Sequence, residues 1–456
     1  MTASLNLGSS GLVSQFSLLS SGSGSFGQTT DLSGYSSGQI ESLTLKQVGG
    51  LTTTQARAIT TDALAGLSTQ QIKTLSTQNI AAMTTAQIAG LSSTQINAMS
   101  SAQLKSLTAA QINALTSDQI AGLRVTGIGA LNINRIADIS TGQLQQLSTE
   151  QIRALTTDQI VSIIDSQLAA LSTGQITSFR SAQIRAIETR DISGLTTGQI
   201  VAFSAEQFAS FTPSQIAALS TAQIEAIQTE DISFLNTAQM AALSTAQLNA
   251  LKTEQLRALL PSQIAAISTT SLAALTTGKI QSLASEQVTG LKAAQVLALS
   301  SAQLNAMGSQ QINGLTSQQL SLVRTTDLSA LSTTFMSLLS SSQLTSLSTQ
   351  QMQALSTGQL AALTTDSLVG LKTNQLRSLS TDQIRALTTA QASSLTSNQL
   401  AGLTTTQTAA ISTAQIAQLT TDQIKAFTTA QIVSLSATQL NALSNEQTSS
   451  LSIKQI

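Results

Sequence analysis

An eight-residue frame runs without a slip from Ile40 to Ile456, and it constrains this chain more than any other feature. Leu67-Ser68-Thr69-Gln70-Gln71-Ile72-Lys73-Thr74 is followed by Leu75-Ser76-Thr77-Gln78-Asn79-Ile80-Ala81-Ala82, and then by Met83-Thr84-Thr85-Ala86-Gln87-Ile88-Ala89-Gly90. Ile or Leu falls at residue numbers divisible by eight (Ile40, Ile72, Ile112, Ile200, Ile312, Ile424), usually after a Gln such as Gln71, Gln199 or Gln455. A second large apolar residue follows three positions later: Leu43, Leu75, Leu115, Phe203, Leu315, Phe427. A fixed internal period means that each unit must bury its apolar face on another unit. Surface loops of a globular domain accept insertions; a frame this strict implies stacking that an insertion would break.

A continuous helix cannot carry the pattern. Eight residues rotate about 800° at 3.6 per turn, so the apolar stripe would drift about 80° with every unit. Paired Ser and Thr are also poor helix interior. Very short helices separated by corners satisfy the same residues. In Ser68-Thr69-Gln70-Gln71 the spacing is that of a capping box, and Leu67 with Ile72 has the spacing of a hydrophobic staple. The only prolines, Pro213 and Pro261, fall just after the expected N-cap, where a missing N–H is harmless. Acids collect in the first turn (Asp62, Asp118, Glu150, Asp158, Glu206, Glu254, Asp382, Asp422) and bases follow three later (Lys73, Lys105, Arg153, Arg257, Arg385, Lys425), as the helix dipole favours. The pairs Glu254/Arg257, Asp382/Arg385 and Asp422/Lys425 are placed for i,i+3 contacts. The expected fold is therefore all-α: a superhelical solenoid of eight-residue units, each a short capped helix plus a corner. The residue before the Leu is small (Gly66, Ala82, Gly90, Ala98, Gly122) and is expected to allow close approach between adjacent units. The residue after the Ile (Lys73, Ala81, Asn97, Lys105, Asn113) varies and is expected to face solvent.

A β-solenoid is the alternative. Its case is the Thr and Ile content, the unbroken register, and columns of Gln and Ser/Thr that could form hydrogen-bonded ladders. Against it, Ile and Leu stand an odd number of residues apart and would face opposite sides of a strand. Val is also sparse while Ala is plentiful.

Residues 1–39 form a Ser/Gly-rich N-terminal segment or cap, and residues 40–456 the continuous octapeptide solenoid. Within the first segment Gln15-Phe16 with Leu19, and Asp31-Leu32 with Tyr35, keep the phase and read as degenerate units; an arm that contacts another molecule is the other reading. Gln is replaced by Gly127 and Arg135, by Asp191, Asp231 and Ser271 at 40-residue intervals, and by Asp327 and Ser367 at the same spacing. A carboxylate at this third helical position is expected to serve the cap still. Lys279, another replacement, reads as a surface variant. The array stops in mid-unit at Gln455-Ile456, where a longer parent or an end-to-end neighbour is expected to cover the last apolar face.

Composition narrows the function classes. His and Cys are absent, which excludes disulfides, His-based triads and Cys/His metal centres. Charged residues are 9% with a net charge of −1, too few cations to bind nucleic acid or anionic membrane. No apolar run approaches a membrane span, and no charged n-region precedes an apolar stretch. Catalytic, cofactor and metal residues are all expected to be none, and so is a cofactor; the chain is expected not to be an enzyme. Gly127-Ile128-Gly129 lies inside the frame and is no phosphate loop.

Rich in Ser, Thr, Ala and Gly and free of Cys, the chain resembles by composition the large bacterial cell-surface repeat proteins, such as leaderless secreted adhesins and surface-layer proteins. That resemblance implies an extracellular or cell-surface setting. The expected function is a structural repeat protein forming an elongated rod or filament (spacer, stalk or surface coat) that self-associates as a homo-oligomer or filament. A binding module for polysaccharide, a protein partner or ice, and a molecular ruler in a larger assembly, are the alternatives. The Tyr and Gly signature of ice-nucleation octapeptides is missing, as are the aromatic platforms that suit glycans.

Overall fold

A computed structural model describes residues 27, 30–131 and 137–456. They divide into two compact units, the first ending at Ile227 and the second running from Gln228 to Ile456. Each unit is a succession of helices of four to six residues, such as Thr61–Leu64, Thr69–Thr74 and Thr77–Ala82 in the first, and Ser341–Leu344, Thr349–Ala354 and Thr357–Ala361 in the second. Among the described residues there is no strand. The β-solenoid alternative therefore falls, because the N-cap Ser or Thr and the Gln three residues later, as in Ser68 and Gln71 or Ser92 and Gln95, spend their polar groups on a helix end rather than on a ladder.

The local geometry follows from the caps. Ser68 is extended (φ −67°, ψ 160°), and its hydroxyl accepts the Gln71 N–H while the Gln71 side chain accepts the Ser68 N–H. The helix then runs six residues and ends at Leu75, itself extended (φ −59°, ψ 136°), followed by the extended N-cap Ser76. Two consecutive extended residues make the corner without any residue at positive φ. Pro213 and Pro261 open their helices as expected. Such short helices do not persist alone, since nucleation outweighs so few backbone bonds. They persist because both apolar columns are buried: Ile72, Ile80, Ile88 and Ile96 are fully buried, as are Leu75, Met83, Leu91 and Met99 to within a few per cent. Burial of an aliphatic side chain stabilises by roughly 1.5–3 kcal/mol.

Stacking connects units that are distant in sequence. Thr69–Thr74 packs on Leu45–Gly49 behind it and on Ser93–Ala98 ahead, three units away in each direction. In the second unit Thr349–Ala354 packs likewise on Thr325–Ser329 and Thr373–Ser378. Side-chain hydrogen bonds reach 28 to 31 residues back. A superhelical turn therefore takes between three and four units. The small residue before the Leu does permit close approach, but to the neighbouring turn rather than the adjacent unit: a Cβ on Gly66 would lie 2.1 Å from the carbonyl oxygen of Ser37, on the turn behind.

Leu32 and Tyr35 are buried like an Ile/Leu pair, and Ser36 with Gln39 forms a capping box over Ser37–Glu41. Gln15, Phe16, Leu19 and Arg135 lie outside the described residues. Of the three expected i,i+3 pairs, Asp382–Arg385 (3.4 Å) and Asp422–Lys425 (3.7 Å) form on the surface, where such pairs contribute little. Glu254 and Arg257 do not pair; the Arg257 guanidinium donates instead to the Ser282 carbonyl, 25 residues ahead, at 3.1 Å.

Candidate functional site

The residue that repeats most faithfully after the apolar columns is the Gln at the third helical position, and its side chain is buried. Gln103 is 2% exposed. Its Oε1 accepts the Ser100 N–H at 2.8 Å, closing the capping box of its own helix. Its Nε2 donates to the Ile72 carbonyl, 31 residues back, and to the Leu75 carbonyl, 28 residues back, both at 2.8 Å. These two carbonyls belong to the C-terminal end of a helix on the preceding turn, where the Ile72 carbonyl accepts only the Leu75 N–H from the backbone and Leu75 stands past the last helical bond. One amide therefore caps two helices, the start of its own and the end of another. Gln343 in the second unit does the same, accepting from Ser340 N–H and donating to Ile312 and Leu315 carbonyls at 2.7 and 2.8 Å. The capping box was legible in the sequence. The inter-turn half was not, because nothing in a single repeat motif says which carbonyls of the turn behind will face it.

Units lacking Gln show which half matters. Asn79, one methylene shorter, loses the box but still donates to the Leu51 carbonyl, 28 residues back, at 3.1 Å. Ser367 donates to the Leu339 carbonyl at the same separation, at 2.6 Å. Lys279, expected at the surface, turns its ammonium onto the Leu251 carbonyl, again 28 residues back. Ser271 departs from this, its hydroxyl accepting from Thr245.

Compensation comes from elsewhere when the replacement has no usable side chain. Gly127 can do neither task. The guanidinium of Arg124, the N-cap residue of that helix, donates to the Met99 carbonyl at 3.3 Å, and Asn97 Oδ1 accepts the Arg124 N–H at 3.0 Å. Asn249 accepts the Thr276 N–H in the Lys279 unit, and Asn305 the Ser332 N–H where Phe335 replaces Gln. Each of these Asn residues lies 27 residues before the N–H it serves. They occupy the position after the Ile, which was expected to face solvent. Lys73, Ala81, Lys105 and Asn113 do face it. Others form a second, outer seam to carbonyls 25 residues ahead: Gln145 to Ala170, Arg185 to Ser210, Asn249 to Ala274, Asn305 to Ala330.

The acidic replacements do not serve the cap as expected. An ionised carboxylate only accepts hydrogen bonds, and the seam it enters is lined by carbonyl oxygens. Asp327 turns to the Arg324 guanidinium at 2.6 Å. Asp191 and Asp231 stay buried, and burial pushes both carboxyls above the usual range. Among the described residues the carboxylates never gather in threes around a common point.

Capped helical octads clipped turn to turn define a tandem helical-repeat protein. The ALTTAQ repeat matches residues 57–93, 65–101, 92–125, 136–163, 184–221, 224–261, 360–397 and 397–429. These stretches cover just over half of the sequence, and the chain belongs to the ALTTAQ repeat family. The six letters stand here as Ala386-Leu387-Thr388-Thr389-Ala390-Gln391: a corner Leu, the N-cap Thr388 and the seam Gln391. No curated protein shows significant similarity to the chain.

Proposed function

We propose that this structural repeat protein is a non-catalytic scaffold, exported to the bacterial surface, where it works as a spacer, stalk or coat and associates with further copies of itself. The observation that carries this reading is the seam. A hydrogen bond from Gln Nε2 to a carbonyl 28 residues back recurs turn after turn in both compact units, for example from Gln103, Gln183, Gln359 and Gln431. An architecture in which every unit depends on the preceding turn suits a load-bearing or distance-setting part. Its most faithfully repeated polar side chain is spent on holding the fold together. The outer face carries Ser, Thr, Gln and Asn, the composition of a hydrated coat.

Negative-stain microscopy and sedimentation of the purified chain over a concentration series test the proposal. Assemblies that grow with concentration are the expected result. Single particles at every concentration that bind defined polysaccharides on a glycan array would replace it with the adhesin-like reading. Removing whole octads tests the ruler: a parent assembly that shortens in proportion supports it.

A further inference from the structure

The unit around Asp191 departs from its neighbours in three ways. Its carboxylate occupies the seam position and is 5% exposed. Its helix, Thr189–Gly194, is a 3-10 helix, whereas the flanking Ser181–Ala186 and Thr197–Ala202 are α-helical. Both tasks of the missing Gln are also left undone. Among the described residues no side chain donates to the carbonyl of Ile163, the seam acceptor on the turn behind, and Asp191 closes no capping box with Glu188, whose own side chain caps nothing. The position that holds Asn97 before the Gly127 unit holds Val161 here, so the compensation used there is missing.

Charge around Asp191 is mixed. On its own turn Arg190 lies 3.5 Å away, and the same guanidinium grips Glu188 at 2.6 Å. The helix packed behind, Asp165–Ala170, brings Asp165; its backbone presses so closely on Gly194 that a Cβ there would stand 2.5 Å from the Asp165 carbonyl oxygen. The helix packed ahead, Pro213–Ala218, brings no charged residue. One guanidinium is therefore shared between Asp191 and Glu188, and Asp165 adds repulsion from the turn behind. Reach is not the obstacle: Asn79, isosteric with Asp, spans the same step to the turn behind.

We propose that Asp191 is a proton-operated latch in the inter-turn seam: protonated, it donates to the Ile163 carbonyl as Asn79 does to Leu51, and ionised, it leaves the stretch around Thr189–Gly194 open to local unfolding. Burial raises its carboxyl, with Arg190 opposing. A carboxyl raised on folding contributes stability that is fully present below the ordinary Asp value, about 4, and is lost as pH rises through the raised one. The latch therefore closes in acid.

Hydrogen–deuterium exchange of the full chain between pH 4 and 7, corrected for intrinsic rates, reads this directly. Peptides covering 160–165 and 188–195 are expected to gain about fivefold or more in protection on acidification, while a peptide over Ser101–Ser106, sealed by Gln103, stays flat. Asp191→Asn, and Asp191→Gln as a second variant, are expected to hold the acid-level protection throughout. A wild-type profile without the step, or a step that survives in both variants, overturns the latch.

Discussion

Glutamine recurs one residue before the Ile column because no other side chain places an acceptor on its own N-cap and a donor on carbonyls of the turn behind. Glu keeps the first task and loses the second; Asn keeps the second and loses the first. We expect Gln103→Glu to cost about 1–3 kcal/mol, the penalty of a buried acceptor facing acceptors, and Gln103→Asn to cost less, both read from urea denaturation at pH 7. Equal effects would mean that the Nε2 bonds carry no weight. The outer Asn residues give a sharper comparison. Asn97→Ala strips the Arg124 N–H of its partner and should cost about 1 kcal/mol. Asn113→Ala, whose counterpart Ser140 N–H is already accepted by Gln143, should be neutral in the same assay. The capping half of the Gln was legible from Ser68 and Gln71 alone, since it is local. The role of Asn97 was not, because its partner Arg124 lies 27 residues away and belongs to a unit where Gly127 has removed the usual acceptor.

At the scale of the element, each helix is too short to hold itself and depends on the columns it shares. Those columns have defects. Ala392 stands where neighbours carry Ile or Leu, and an apolar cavity lined by Ile384, Leu387, Leu395, Leu400 and Leu403 opens beside it. The cavity holds only about 10 Å³, so Ala392→Val should gain at most about a few tenths of a kcal/mol, while the bulkier Ala392→Ile should overpack the column and lower the urea midpoint. A clearly higher midpoint for Ala392→Ile would mean that the column yields to the larger side chain. Phe203, Phe208 and Phe211 show the opposite adjustment, with aromatic rings filling the columns at centroid separations of 5.3 to 5.9 Å. Element type and length followed from the sequence because caps, Pro at the first helical position and the corner Leu all act within eight residues. The 3-10 form of Thr189–Gly194 did not, and the Asp alone does not dictate it, since Asp231 fills the same position in the α-helical Thr229–Ile232.

On the scale of the whole molecule, the frame matters more than any unit. A copy of Leu67–Thr74 inserted after Thr74 lets every later Gln still find a corner carbonyl at its usual separation along the chain. One Gly inserted at the Leu75–Ser76 corner shifts the partners of all units that straddle it. We expect the octad insertion to leave the thermal midpoint within a few degrees of the parent. The single residue should lower it well beyond what a surface loop insertion does, followed by circular dichroism. Equal tolerance of both would refute stacking in register.

The sequence by itself determined the unit: an extended Ser or Thr, a short helix, an Ile and a Leu facing inward, and a corner that needs no glycine. All of these arise from interactions within one octad. Only the tertiary structure decided how many units complete a turn, and with that which carbonyls receive the Gln amide and which Asn rescues a missing one. The physical reason is that the superhelical turn falls between three and four octads and is no whole multiple of the repeat. It is set by how the buried side chains of successive turns fit together, which the repeat motif does not encode one unit at a time.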